Sequence, residues 1–179
     1  MGCAVADDAV LELVESVTKE AMPLLRYRVC WRDADLLHTE ESVSFATLCT
    51  KSRDLCRNLQ NCTRVLLFAA TVGLELDRLI ARYSKASPSR AVALQALGAE
   101  RVESLCDAFL TDMKSFYQKE GLLMRPRFSP GYGDLPLCMQ RDIFRLLDCP
   151  GKIGLSLNES LLMSPTKSVT AVVGLYDAK

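Results

Sequence analysis

The sequence predicts an α+β fold: a single domain with a mostly antiparallel sheet, a long helix and several shorter helices packed on it. Residues 63–72 form a nearly continuous apolar run, which is typical of a buried strand. Residues 89–119 keep one face apolar at helical spacing. Strand-like and helix-like segments alternate along the chain, which favours layers built around a sheet. A length of 179 residues fits one domain, and we expect it to span residues 1–179.

Composition and charge narrow the classes of partner. Hydrophobic residues make up 49% and charged residues 25%, as is usual for a globular protein. Lys plus Arg and Asp plus Glu balance at 22 each, so no overall field favours nucleic acid or an anionic membrane. No apolar run approaches the roughly 20 residues of a membrane helix, and residues 1–8 lack the features of a secretory signal. We therefore expect a cytoplasmic protein that binds neither nucleic acid nor membrane.

Eight cysteines and a single histidine, His38, bear on metal and redox chemistry. No two cysteines form a Cys-x-x-Cys pair, and the spacing of Cys49, Cys56 and Cys62 differs from that of zinc sites. We expect reduced, mostly buried thiols and no metal site, with a redox or iron–sulfur role as the alternative. Because no nucleophile signature flanks His38, we assign no catalytic residue.

Periodicity and turn residues predict the individual elements. Ser87-Pro88 is a typical helix start and Gly121 a typical helix end, so both ends of the long helix are marked. Within that helix, Gly98 permits close approach of another backbone. In chain order, we predict a helix at 10–21, a strand at 26–32 that residues 33–37 extend or close with a turn, a helix at 40–60, a strand at 63–72, a helix at 73–83, the long helix at 89–119, a helix at 137–148, and strands at 153–157 and 168–176. We expect the last two strands to pair antiparallel.

The loop at residues 125–136 is the least generic stretch of the chain. Three prolines fix its backbone, and Gly131 and Gly133 permit positive φ. Arg127 offers a planar fork for a carboxylate, and Tyr132 offers a flat ring. These residues suit a ligand with a carboxylate and a flat base. The alternative is a surface loop with a solvated arginine and a tyrosine that plugs the core.

Two acidic residues of the long helix, Glu100 and Glu103, are one turn apart. They either point toward this loop or form part of a solvated helix face. No glycine-rich phosphate-binding motif is present.

The loop and two later segments resemble the activation domain of cobalamin-dependent methionine synthase. That family has an Arg-x-x-Pro-Gly-Tyr loop, then a Thr/Asn-Glu-Ser segment, a turn and a Ser-Val strand. The matching residues here are Arg127-Phe128-Ser129-Pro130-Gly131-Tyr132, Pro136, Asn158-Glu159-Ser160-Leu161-Leu162-Met163-Ser164-Pro165 and Ser168-Val169-Thr170. A weaker likeness covers Ala99-Glu100-Arg101-Val102. The motif-bearing part is about residues 90–176.

The resemblance implies a function. Domains of this family bind S-adenosylmethionine and close over a corrinoid whose cobalt has oxidised to the cob(II)alamin state. One-electron reduction followed by methyl transfer then restores the cofactor. By position, the resemblance implies that Arg127 contacts S-adenosylmethionine and that Ser129, Pro130, Gly131 and Tyr132 line the same site.

The resemblance also implies the partners. The chain lacks the Asp-x-His-x-x-Gly box that holds cobalamin, so we expect a free-standing reactivation factor. Its partners would be a cobalamin-binding methionine synthase subunit and an electron donor such as flavodoxin. The family's tyrosine pair is missing, with Tyr176 the nearest residue, and no acidic ligand aligns within residues 26–35. The alternative is a non-catalytic module that docks on a corrinoid protein, or senses a metabolite, after losing S-adenosylmethionine binding.

Overall fold

A six-stranded antiparallel sheet forms the centre of the molecule, in a computed structural model that describes residues 7–178. The strands are β1 (Arg28–His38), β2 (Val43–Phe45), β3 (Leu48–Thr50), β4 (Arg64–Thr71), β5 (Leu122–Met124), β6 (Ser156–Leu157), β7 (Met163–Ser164) and β8 (Ser168–Asp177). The order across the sheet is β3-β2-β1-β4-β8-β5, while β6 and β7 form a separate small pair. The predicted α+β class with a mostly antiparallel sheet is confirmed.

Within residues 7–178, six α-helices surround the sheet. They are α1 (Asp8–Ala21), α2 (Arg53–Asn58), α3 (Leu74–Ala86), α4 (Pro88–Lys119), α5 (Gln140–Leu147) and α6 (Cys149–Ile153). Helix α4 has the predicted proline in its first turn and ends just before Gly121, whose φ is +76°. Every helix in the part of the chain described is either too short or too polar to cross a bilayer.

Strand β4 is buried on both of its faces, which explains its continuous apolar sequence. Alternate side chains point to opposite sides of a strand, so each side receives every second residue. Val65, Leu67 and Ala69 pack toward α5, whereas Leu66, Phe68 and Ala70 pack toward α4. The sheet is therefore the middle of three layers, and β1 and β4 are its two central strands.

Helix α4 covers one face of the sheet, and α2, α5 and α6 cover the other. Helices α1 and α3 pack beside α4 around a further apolar cluster. Gly98 lies where α4 meets α3, and a Cβ at this position would come within 2.5 Å of Leu76 Cδ2. The groups that approach Gly98 closely are the side chains of Leu76 and Lys167, rather than the other backbone that the sequence suggested, and a Cβ here would require them to shift.

The helix predicted at residues 40–60 is mostly wrong. Only α2 is helical, and it is preceded by the short strands β2 and β3, which extend the sheet beyond β1. Residues 33–37 extend β1 rather than turning. The hairpin depends on pairing between Val43 and His38, a tertiary contact that short-range periodicity does not reveal.

The strand predicted at residues 153–157 is also largely wrong. Pro150 lies in the first turn of α6 rather than terminating the helical region, and Asp148 caps that helix by accepting a hydrogen bond from the backbone N–H of Gly151. Only Ser156–Leu157 is extended, and it pairs with β7. The expected pairing with the last strand does not form, because β8 lies between β4 and β5.

Candidate functional site

The proline–glycine loop begins as an irregular continuation of β5 along the edge of β8. The backbone N–H of Arg125 donates to Gly174 O at 2.8 Å. Phe128 and Val172 then exchange two backbone hydrogen bonds, both of 2.8 Å. Arg127 therefore lies on a segment whose backbone is hydrogen-bonded to β8 before and after it, which restricts the path of its side chain.

Beyond Phe128 the loop folds into tight turns. Tyr132 N–H donates to Ser129 O at 3.2 Å, and Gly131 N–H donates to Leu135 O at 2.9 Å. Gly131 has a φ of +91°, as the sequence predicts for a glycine-permitted turn. These bonds hold the loop in one conformation, while Leu135 inserts into the core and is 2% exposed.

Asp134 fastens this loop to α2. Its carboxylate accepts hydrogen bonds from the Ser52 hydroxyl, from Arg53 N–H at 2.7 Å and from Asp54 N–H at 3.2 Å. The bond from Ser52, together with the two backbone donors, lowers the pKa of Asp134 below its usual value although partial burial opposes this shift. Gly133 lies so close that a Cβ there would meet Asp54 Oδ2 at 2.4 Å. The loop is thus docked on the rest of the fold and cannot move freely.

A cavity of about 370 Å³ lies between this loop, α4, the start of α5 and β8. Four of the five predicted site residues line it: Arg127, Ser129, Pro130 and Tyr132. Gly131 is not among the lining residues. The other lining residues are Glu103, Phe128, Gln140, Met163, Ser168, Val169 and Thr170.

Arg127 provides the main charge in the cavity. One of its guanidinium nitrogens, Nη2, forms an ion pair with Glu103, and the other, Nη1, is buried and has no hydrogen-bond partner within residues 7–178. Burial opposes the charge and is the largest single influence, but the contact with Glu103 and the nearby Cys106 and Asp107 together raise the pKa of Arg127. A guanidinium with one free, desolvated donor is suited to a carboxylate, which supplies two acceptor oxygens.

Glu103 is the acidic residue that the sequence left open between two interpretations. It reaches the cavity and Arg127, whereas Glu100 instead pairs with its neighbour Arg101 and accepts a bond from Ser104 at 2.6 Å. The pair Arg127–Glu103 joins the loop to α4. The cavity therefore holds both a cationic and an anionic side chain.

Gln140 and Thr170 are site residues that the sequence analysis missed. Both residues are buried, at 5% and 2% exposure, and neither Gln140 Oε1 nor Thr170 Oγ1 has a hydrogen-bond partner in the part of the chain that the structure describes. Buried polar atoms are normally paired, so these two are available to a ligand. One signal was present: Gln140 lies on the same helical stripe as Ile143 and Leu147, where a polar residue is unexpected.

Three exposed apolar side chains belong to the cavity lining or adjoin its loop and strand segments. Tyr132 is 70% exposed, so it does not plug the core. Leu137 is 41% exposed and lies against Gly131, and Leu162 is 64% exposed directly before the cavity residue Met163. We call Tyr132, Leu137 and Leu162 the apolar rim. Its position at an open cavity is typical of a surface that another molecule covers.

Comparison with protein families identifies the chain. A family profile matches residues 56–178, and its description is "Vitamin B12 dependent methionine synthase, activation domain". The chain belongs to this family. The matched region contains the proline–glycine loop, α4, α5 and β8, and therefore every residue that lines the cavity.

Solved structures agree on the fold of this activation-domain family member. The chain is similar to the MetH reactivation domain, whose crystal structure contains AdoHcy, with a TM-score of 0.62 and 15% sequence identity. The likeness covers 96% of this chain and 66% of that one, so the chain spans about two thirds of that domain's length. At this identity the likeness establishes the fold alone. No curated protein matches the sequence.

Tyr176 of this family member lies outside the cavity. Tyr176, the nearest residue to the family's tyrosine pair, packs near the far end of β8, where the Arg125 guanidinium lies 4.6 Å from its ring centre. It is not among the residues that line the cavity. Within residues 7–178, no three His, Cys, Asp or Glu side chains converge on a metal-sized position.

Proposed function

We propose that this chain binds S-adenosylmethionine in the cavity beside the proline–glycine loop and presents its methyl group to the cobalamin of a separate methionine synthase subunit. The observation that carries the proposal is the free, buried Nη1 of Arg127 inside a cavity that also contains Glu103. S-adenosylmethionine combines an α-carboxylate, an α-ammonium group and a flat adenine. Each of these groups has a suitable partner among the lining residues.

Arg127 and Glu103 fit the amino-acid end of this ligand. The carboxylate takes the free Nη1 of Arg127, and the ammonium group takes the carboxylate of Glu103. Ligand binding would then replace one ion pair with two, and the ligand's carboxylate and ammonium group would each have a partner of opposite charge. In this proposal Glu103 takes the role of the family's acidic ligand, for which no residue within 26–35 aligns.

Gln140, Thr170 and Tyr132 fit the remainder of the ligand. Gln140 Oε1 and Thr170 Oγ1 are buried and have no partner, so a ligand hydroxyl or amine would satisfy them. The exposed ring of Tyr132 offers a plane on which a flat base stacks. The volume of about 370 Å³ lies within the range of about 300–1,000 Å³ that is usual for small-molecule sites.

In this proposal the protein's own residues bind, orient and shield the ligand. When bound, S-adenosylmethionine supplies an electrophilic methyl group, and the partner's cobalamin, once reduced, accepts it. Arg127 and Glu103 fix the amino-acid end, which sets the direction of the sulfonium toward the cavity mouth. The apolar rim of Tyr132, Leu137 and Leu162 excludes water there and contacts the corrinoid-bearing partner.

The partners follow from the same proposal. The chain, as one activation domain over residues 1–179, serves a cobalamin-binding methionine synthase subunit in the cob(II)alamin state. An electron donor such as flavodoxin supplies the single electron. The chain itself holds S-adenosylmethionine and no cobalamin, and it acts in the cytoplasm.

A reactivation assay tests this function. A corrinoid synthase subunit lacking its own activation domain is brought to the cob(II)alamin state and mixed with a reductant, S-adenosylmethionine and this protein. Return of methionine formation only when all components are present supports the proposal. Absence of S-adenosylmethionine binding by calorimetry, with retained affinity for the corrinoid subunit, would instead favour the docking module.

A further inference from the structure

Cys30 on β1 and Cys149 at the start of α6 form a contact between two thiols that are 119 positions apart in sequence. Their Sγ atoms are 4.0 Å apart, and both side chains are buried between the sheet and α6. No other hydrogen bond between two thiols is found within residues 7–178, where Cys49 and Cys138 are exposed and Cys106 lies on the opposite face of the sheet.

We propose that Cys30 and Cys149 are a modification site, at which a peroxide forms an intramolecular disulfide that clamps β1 to α6. The proposal concerns the fold's own thiols and does not depend on the cavity or its ligand. A disulfide needs an Sγ–Sγ separation of about 2.05 Å. The present 4.0 Å is closed when each side chain moves by about half of the difference.

The chemistry is balanced with one molecule of hydrogen peroxide. Cys30 attacks a peroxide oxygen and becomes a sulfenic acid, and the thiol proton leaves with the other oxygen as water. Cys149 then attacks the sulfenic sulfur, the S–S bond forms, and a second water leaves. Two thiols lose two protons and two electrons, which reduce the peroxide to two waters.

The surroundings of the pair support this division of roles. The contact between the two thiols lowers the pKa of Cys30, and the same contact, together with burial, raises the pKa of Cys149. Cys30 is therefore the better nucleophile toward peroxide, while Cys149 stays a thiol poised beside it. Because both thiols are buried, only small oxidants can reach them, which favours peroxide over larger disulfides.

Peptide mapping of the full chain tests the proposal directly. The reduced protein is treated with hydrogen peroxide, its remaining thiols are alkylated in denaturant, and it is digested with trypsin without reductant. Cleavage after Arg28, Arg32, Arg145 and Lys152 places Cys30 in residues 29–32 and Cys149 in residues 146–152. We expect these two peptides to be linked, and the link to disappear with dithiothreitol. Recovery of both peptides as alkylated, over-oxidised or linked to other cysteines overturns the proposal.

Thermal unfolding gives a second measurement. Because the link would close a long loop, oxidation should raise Tm by on the order of 10 °C. Cys106→Ala, which leaves the pair intact, should retain the linked peptide and the rise in Tm, whereas Cys149→Ala should lose both. A rise that persists in Cys149→Ala contradicts the clamp. If Cys149→Ala does not fold, the peptide map of the peroxide-treated chain without substitutions still decides whether the disulfide forms.

Discussion

Asp134 of the proline–glycine loop accepts a hydrogen bond of 2.7 Å from the backbone N–H of Arg53, 81 positions earlier in the chain. A loop residue thus caps the first turn of α2, where free N–H groups and the helix dipole favour a carboxylate. The same carboxylate holds the loop that carries Arg127. Stability of α2 and placement of the cavity wall are therefore coupled through one side chain.

Asp134→Asn should lower the stability of the protein, and the loss should depend on pH. The folded-state pKa of Asp134 is lowered by its hydrogen bonds, so its contribution is present above about pH 4 and is lost as the pH falls through that lowered value. We expect a lower Tm for the variant at pH 7, with a difference from the unmodified protein that shrinks under acid conditions. Asp112→Asn, at an exposed position on α4, is the control. An equal effect of the two substitutions at pH 7 would argue against the cap.

Arg127→Ala should weaken S-adenosylmethionine binding by ~2–3 kcal/mol, or about 30–150-fold in Kd, because a charge-assisted fork is lost. Isothermal calorimetry measures this. Arg127→Lys should recover only part of the affinity, since an ammonium group does not reproduce the planar fork. Arg145→Ala removes an equally charged residue of α5 outside the cavity and should bind as the unmodified protein does. Unchanged affinity in Arg127→Ala would remove this residue from the site.

Glu103→Gln separates the contribution of Glu103 to folding from its contribution to ligand binding. The Glu103 side chain is 52% exposed, so its pairing with Arg127 contributes at most about 1 kcal/mol to folding, and Tm should change little. If Glu103 takes the ligand's ammonium group, its loss weakens binding by about 1–2 kcal/mol. Tighter binding would mean that Glu103 only competes with the ligand carboxylate. Glu100→Gln, one turn away and outside the cavity, is the matched control.

The parts of the fold that the sequence predicts are those fixed by local patterns. Helix α4 has marked ends and one apolar face, and β4 has a long apolar run, so both are found where expected. The strands β2 and β3 are three residues each and exist because they pair with one another and with the end of β1. Such pairing is set by distant contacts rather than by propensity, so the local pattern suggested a helix.

In the site, too, the residues that local sequence predicts differ from those that only distant contacts bring together. Arg127 and Tyr132 were predicted because both belong to one unusual stretch of sequence. Gln140 and Thr170 lie on different elements and share the cavity only after α5 packs on the sheet. Whether Glu103 or Glu100 faces the loop depends on the exact rotation of α4 about its own axis. One apolar stripe does not define that rotation finely enough to choose between the two residues.

Tyr117 on α4 is fully buried, and its hydroxyl has no hydrogen-bond partner among the residues that the structure describes. Tyr117→Phe removes a desolvated polar atom without breaking a bond, so stability at pH 7 should stay the same or increase by up to about 1 kcal/mol. Tyr83→Phe is the matched comparison, because the Tyr83 hydroxyl donates to Glu20 at 3.0 Å. That variant should lose about 1 kcal/mol in urea unfolding. A loss of similar size in Tyr117→Phe would mean that its hydroxyl is bonded in solution.

The two tyrosine variants should also differ at high pH. Burial, assisted by the neighbouring Asp33, raises the pKa of Tyr117 to about 12, above the ordinary value of about 10. A group whose folded pKa is raised stabilises the fold below the unfolded pKa and loses that contribution as pH rises through the folded one. The unmodified protein should therefore lose stability between about pH 10 and 12, and Tyr117→Phe should lose less. Parallel alkaline unfolding curves for the two proteins would place the titration elsewhere, for example at Cys106, whose pKa burial raises to about 11.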